Sequence, residues 1–159
     1  MSDVVEREVT LMDCLPIMLE KLKQGASVEF TAHGTSMMPL LHDSSVVISP
    51  KPDRLKLYDM PLYIRSNGAF VLHRIVRINK DGSYSMCGDN QTVIESPIYH
   101  KQVVGVVSAF DWNGVNTSVT DAAYLEYVKA HMKKQKRLRA YYGLRGCVGK
   151  ILRKLHLRK

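Results

Sequence analysis

The apolar positions of this chain follow three successive rhythms. Between residues 10 and 24, Leu11, Leu15, Met18 and Leu22 recur at helical spacing, Thr10 and Asp13 resemble an N-terminal cap, and Gly25 stops the run. Pro16 inside the pattern argues for a start later than Leu11. From Val28 to about Ser118 the signal changes to short β segments: "SVEFTA", "SVVIS", "MPLYIR", "AFVLHRIVRI", "SYSMCG" and "QVVGVVSAF". Turn material separates them, in "SPKPD", "SNG", "NKDG", "GDNQ" and "DWNG". "NKDG" predicts a hairpin between "HRIVRI" and "SYSM". Many short strands predict a mainly β, α+β chain with a compact, partly closed, barrel-like body, and argue against a parallel α/β sheet.

From about Asp121 the period returns to helical, through Leu125, Val128 and Met132 with Tyr124 beside them. After a Gly-containing break, Leu144, Val148, Ile151, Leu152 and Leu155 form a second apolar stripe, flanked by Arg145, Lys150, Arg153, Lys154 and Arg158. The expected organisation is an N-terminal helical segment (1–27), a β domain (28–118) and a basic helical extension (119–159).

Charge sharpens that division. The net charge is +8 over 159 residues, yet Lys129 to Lys159 carry 12 Lys and Arg and no acid. The preceding residues hold 11 basic and 15 acidic side chains, a balance of −4. A tail of this kind suits an anionic membrane surface, nucleic acid or an acidic partner; equally, it is a helical face left in water. No stretch approaches the roughly 18 to 20 apolar residues that span a bilayer, and the charged N-terminus does not read as a secretory signal. Cys14, Cys87 and Cys147 are scattered, without metal-ligand or disulfide spacing, which points to a reducing, cytoplasmic setting with no metal or cofactor.

Candidate chemistry begins at "HGTSMMPL", residues 33–40, where Ser36 sits in a turn shaped by Gly34 and Pro39. A nucleophilic serine needs a base from elsewhere. Alternation along "AFVLHRIVRI" sends Val71, His73 and Ile75 to one face, so His73 is either a satisfied core histidine or a poised base. Asp89, in the Gly-Asp-Asn turn of "CGDNQTVIE", either bonds its own turn or accepts a hydrogen bond from His73. His33 has no assigned part, and at least one of Met37 and Met38 reads as core filler.

Taken in order, "GTSMMPLL", "LKLYDMPLYI", "VLHRIVRI", "SYSMCGDNQTVIE" and "VVGVV" resemble the signal peptidase I and LexA-like serine peptidase superfamily, over about residues 28 to 110. The resemblance implies Ser36 as nucleophile, His73 as general base and Asp89 as supporting acid. Bacterial signal peptidases and LexA-type proteins normally use lysine as base, so this chain looks like the Ser-His branch found in endoplasmic-reticulum-type, archaeal and some Gram-positive enzymes. Glu95 falls where that branch often has a second acid, and Asp59 matches an aspartate expected to serve a turn. The Ser36 backbone N–H would stabilise the oxyanion, while Gly34 stands where some members place a further hydroxyl donor. The chain departs from the pattern at Ser44-Ser45, where Gly-Asp is common, and at Tyr58, where glycine is usual.

These implications amount to a serine endopeptidase that cleaves a protein or leader peptide laid beside "SVEFTA". Without an N-terminal anchor it is expected in the cytoplasm or peripherally at the inner membrane surface, touching the membrane through its basic C-terminal helices. A LexA-like regulatory or peptide-binding module, or a pseudoenzyme with a basic tail, is the alternative. About 27 residues are too few for an N-terminal DNA-binding domain, so nucleic acid is not the expected partner.

Overall fold

The computed structural model describes the backbone of residues 11–156 and the side chains of residues 13–140. Helix α1 (Leu11–Lys23) leads into β1 (Val28–Ala32), β2 (Ser44–Pro50), β3 (Pro61–Ile64), β4 (Phe70–Leu72) and β5 (Arg74–Ile78). These are followed by β6 (Tyr84–Cys87), β7 (Glu95–Ile98), β8 (Val103–Trp112), β9 (Val115–Ser118) and a long helix α2 (Ala122–His156). The result is a mainly β, α+β fold with helices at both ends. One antiparallel sheet, ordered β1-β2-β8-β3-β4 with β9 on β8, forms a half-barrel, and β5-β6-β7 form a second, small sheet. Among the described residues β1 pairs only with β2 and β4 only with β3, so both ends of the half-barrel are free edges.

Helix α1 buries Met18 and Leu22 against the half-barrel and ends on Gly25 at φ +82°. There the Gly25 and Ala26 N–H groups bond back to the Leu22 and Lys21 carbonyls, as a left-handed C-terminal cap requires. Contrary to expectation, the helix begins at Leu11 and carries Pro16 within it. Pro16, the sixth helical residue, is exposed and gives no N–H to the carbonyl four residues before it, so the helix forgoes one internal bond there.

Alternation divides the apolar residues between two cores. Val46, Ile48, Leu62, Val104, Val107 and Phe110 pack with α1 and with Tyr124, Val128 and Met132 of α2. Tyr63, one step from Leu62, points the other way and joins Leu55, Ile75, Tyr84, Met86, Ile98 and Val103 between the two sheets. The "NKDG" hairpin forms, with Asn79 N–H on the Ser83 carbonyl at 2.8 Å and Gly82 at φ +80°. Asn113-Gly114, both at positive φ, turn β8 into β9, a strand the apolar pattern did not signal, as it did not signal β7.

Two expectations are overturned. "AFVLHRIVRI" is not one strand: it breaks at His73, where the chain leaves the half-barrel (Leu72 opposite Leu62) and enters the small sheet (Arg74 opposite Cys87). The cause is Arg74, fully buried and drawn to a carboxylate on the small-sheet side. The C-terminal helices are likewise a single helix, whose backbone passes through Gly143 and Gly146 without a break. The side chains of the expected second stripe, Leu144 to Leu155, lie outside the described residues.

Candidate active site

Ser36 opens the turn between β1 and β2. Gly34 sets its entry at φ +110°, a conformation L side chains rarely adopt, although a Cβ there would meet no atom. Below Ser36 the turn closes through Leu40 and Leu41 N–H on the Met37 carbonyl, with Met37 buried in the core and a cis Met38–Pro39 bond. The departure at Ser44-Ser45 is absorbed by hydrogen bonds, Ser44 Oγ to His42 O and Ser45 Oγ to Glu29. His33 pairs with Asp43 at 2.9 Å on the exposed rim.

The Gly-Asp-Asn turn grips this serine by its backbone. Asn90 N–H donates to Ser36 O at 2.9 Å, and Asn90 Nδ2 donates to Thr35 O at 3.2 Å. Gly88 lies so close that a Cβ would run into the Ser36 carbonyl oxygen. Helix α2 holds the turn from behind, His131 Nε2 reaching Asp89 O at 3.1 Å and Gln135 Nε2 bonding the same oxygen. Gly88, Asn90, His131 and Gln135 were missed by sequence reasoning; only the compactness of "GDN" hinted that its glycine and asparagine had work to do.

Asp89 is not bonded to His73, and this corrects the expected arrangement. Its two oxygens take Arg74 Nε at 2.8 Å and Nη2 at 2.7 Å, both side chains being fully buried. The remaining guanidinium donors reach Tyr58 O, Tyr124 Oη and Met60 Sδ. A fully buried guanidinium needs a full set of acceptors, and the nearest anion is consumed in supplying them. Asp59 serves its turn as expected: Oδ2 accepts Lys56 N–H at 2.7 Å and its carbonyl accepts Ile75 N–H at 2.9 Å. Tyr58, where glycine was the usual residue, nonetheless adopts φ +78°.

His73 finds other company. Its Nδ1 lies 3.3 Å from Tyr63 Oη, Tyr63 donates to Glu95 Oε1 at 2.7 Å, and Arg65 holds both Glu95 oxygens at 2.7–2.9 Å. Glu95 therefore approaches His73 through an intervening phenol. Burial pushes the His73 ionisation below its ordinary value, against the opposing pull of Glu95, so the ring is neutral near pH 7. Burial, then the Glu95 bond, push the Tyr63 hydroxyl far up. Burial alone would raise the Glu95 carboxyl, but the bonds from Arg65 and Tyr63 outweigh it and hold it below the usual range.

Ser36 and His73 line one cavity of about 250 Å³, together with Gly34, Arg65, Phe70 and Gln91. Ser36 Oγ and His73 make no direct hydrogen bond, and neither the Ser36 N–H nor His73 Nε2 has a protein partner among the described residues. A groove of about 660 Å³ between α1, the β1 edge and β4 runs into this cavity, sharing Ala32, His33, Phe70 and Leu72. A larger space of about 850 Å³ beneath the end of α1 contains none of Ser36, His73, Asp89 and Glu95. Among the described residues no cluster of His, Cys, Asp or Glu is placed to hold a metal ion, and no helix is long and apolar enough to cross a membrane.

The arrangement has the elements of proton transfer from a hydroxyl: a neutral imidazole with one nitrogen occupied and the other open, lining the same cavity as a serine whose hydroxyl has no partner among the described residues. Comparison of the chain with family models, curated proteins and solved structures finds no match.

Proposed function

We propose that the chain is a serine endopeptidase of the signal peptidase I and LexA-like type, using Ser36 as nucleophile and His73 as base. The observation that carries this reading is the shared cavity, in which Ser36 and His73 meet at the end of a groove flanked by free strand edges. An extended peptide pairing with β1 would present its carbonyl to Ser36 with little demand on sequence. His73 Nε2 takes the Ser36 proton as Oγ adds to the carbonyl, and the Ser36 N–H, free of protein acceptors, receives the oxyanion. Collapse releases the amine, which takes its proton from His73, and water then cleaves the acyl-serine by the same route.

That same open geometry also suits a non-cleaving peptide-binding module, the second reading. Labelling by a fluorophosphonate, which phosphonylates activated serines with loss of fluoride, separates the two. The expected result is labelling that disappears in Ser36→Ala and in His73→Ala; labelling that survives both substitutions overturns the proposal. A peptidase of this design acts on a protein or leader peptide, and the basic half of α2 offers an anionic membrane surface a peripheral contact.

A further inference from the structure

The imidazole of a serine hydrolase must hold its proton on the nitrogen remote from the serine, and a carboxylate usually enforces that choice. Here Asp89, the carboxylate expected to do so, is taken by Arg74. We propose that Tyr63, with its proton held by Glu95, sets the reactive tautomer of His73 in its place. Tyr63 and Glu95 are then positioning residues, acting through His73 without touching substrate. The proposal rests on the reading of His73 as the base.

Tyr63 has one proton to give, and a bond to a carboxylate is roughly twice as strong as one to a neutral acceptor. Glu95 Oε1 at 2.7 Å therefore takes it. The Tyr63 oxygen is left with lone pairs facing Nδ1 at 3.3 Å, so Nδ1 must be the donor. Nε2 then carries the lone pair that a general base needs. Tyr63 cannot supply the same field as a phenolate, because burial and Glu95 oppose its ionisation. Arg65 keeps Glu95 charged and fixed, with Nη2 2.7 Å from Oε2.

The fold assembles this relay from three elements that converge where the two sheets meet. Tyr63 comes from β3, on the face opposite Leu62; Glu95 begins β7, opposite Met86; His73 occupies the crossing from β4 to β5. The charged and titratable groups around the ring are Glu95 from β7, Arg65 beyond β3 and Asp89 beyond β6, with the Tyr63 phenol between. Glu95 favours the imidazolium that forms during acyl transfer, and Arg65 opposes it. Neutralising Glu95 consequently lowers the His73 pKa and slows catalysis together, a pairing that loss of a purely structural contact does not produce.

The test reads the tautomer directly, by ¹⁵N NMR of histidine-labelled protein, in the parent chain, Tyr63→Phe and Glu95→Gln. The parent is expected to show His73 protonated at Nδ1 and bare at Nε2 near neutral pH. Tyr63→Phe keeps the ring but removes the acceptor, and the population is expected to shift toward Nε2–H. Glu95→Gln, at a partly exposed position that tolerates an isosteric change, is expected to give a mixture. In a peptide-cleavage assay both variants are expected to lose on the order of 10²-fold in kcat, the low end of a general base's contribution, with KM unchanged. Glu95→Gln should also move the acid limb of kcat/KM to lower pH. An Nε2–H tautomer in the parent, or an Nδ1–H tautomer that persists in both variants, overturns the proposal. Because the spectrum needs no turnover, that result is distinct from the loss of the peptidase reading, which the Ser36 labelling decides.

Discussion

Two arginine–carboxylate pairs flank His73, and they sit in different surroundings. Arg74 and Asp89 have side chains with 0% exposure; Arg65 and Glu95 retain 40% and 28%. The buried pair has no freedom, since every donor of the guanidinium must be matched in a medium where an unmatched charge is very costly. It anchors β5, the Gly-Asp-Asn turn and, through Tyr124, helix α2. Arg65 of the outer pair lines the cavity, and the carboxylate it holds still has a titrating neighbour to influence. Of two acids in the neighbourhood of this histidine, the more buried one ties the frame together and the more exposed one reaches the ring through Tyr63.

The sharpest way to break this contrast is to remove one member of the buried pair. Arg74→Met leaves Asp89 charged and unpaired, and should cost about 3–5 kcal/mol, whereas Arg74→Met with Asp89→Leu should recover most of it. Urea denaturation midpoints measure both; a single substitution costing under about 1 kcal/mol would remove the anchoring role. Next in size is Gly88→Ala. The new methyl meets backbone, the Ser36 carbonyl, which cannot rotate aside. A loss of about 1–3 kcal/mol is expected, with a larger proportional loss of fluorophosphonate labelling as the serine turn is displaced. Unchanged labelling would detach the Gly-Asp-Asn clamp from the site.

The outer pair should answer differently. Arg65→Ala is expected to cost under about 1 kcal/mol at neutral pH. Its signature lies in acid. Glu95 has a depressed pKa, so its contribution to stability is present above the ordinary carboxylate value and lost as pH falls through the lowered one. Without Arg65 the folded pKa moves back toward the ordinary one, so the acid-dependent loss should shrink, which unfolding curves across about pH 3–5 will detect. The smallest effect belongs to His73. Because its folded pKa is lowered, the unfolded chain takes the proton first, and stability should slip as pH falls below about 6.5. The acid limb of kcat/KM should lie below that value too, and a limb above it would contradict a buried, neutral base.

Much of the frame is legible in the residues themselves. The β segments from Val28 onward, the "NKDG" hairpin and the role of Gly34 follow from alternation and from turn chemistry that side chains cannot evade. The strand containing His73 was misjudged for a definite reason. Alternation treats "AFVLHRIVRI" as a uniform run, but its arginine is buried, and satisfying that charge determines where the chain crosses between sheets. Glycines in α2 misled in the opposite sense, since residues of low helix propensity can be carried in a long helix.

By itself, the sequence determined the alternation of strands and turns, the placement of Ser36 in a glycine-shaped turn, and the presence of one histidine and two acids suited to serve it. These are local matters of backbone sterics and side-chain type. Which acid pairs with the arginine and which lies toward the histidine was decided only by tertiary structure. Arg74 and His73 are neighbours in the chain, and the β5–β6 register brings Asp89 to the arginine while the β6–β7 register brings Glu95 toward the histidine. Tyr63 lies in the strand segment "MPLYIR" and comes to bridge Glu95 and His73 because the two sheets meet over it. Pairing between charges depends on distance and burial, and neither exists until the sheets have packed.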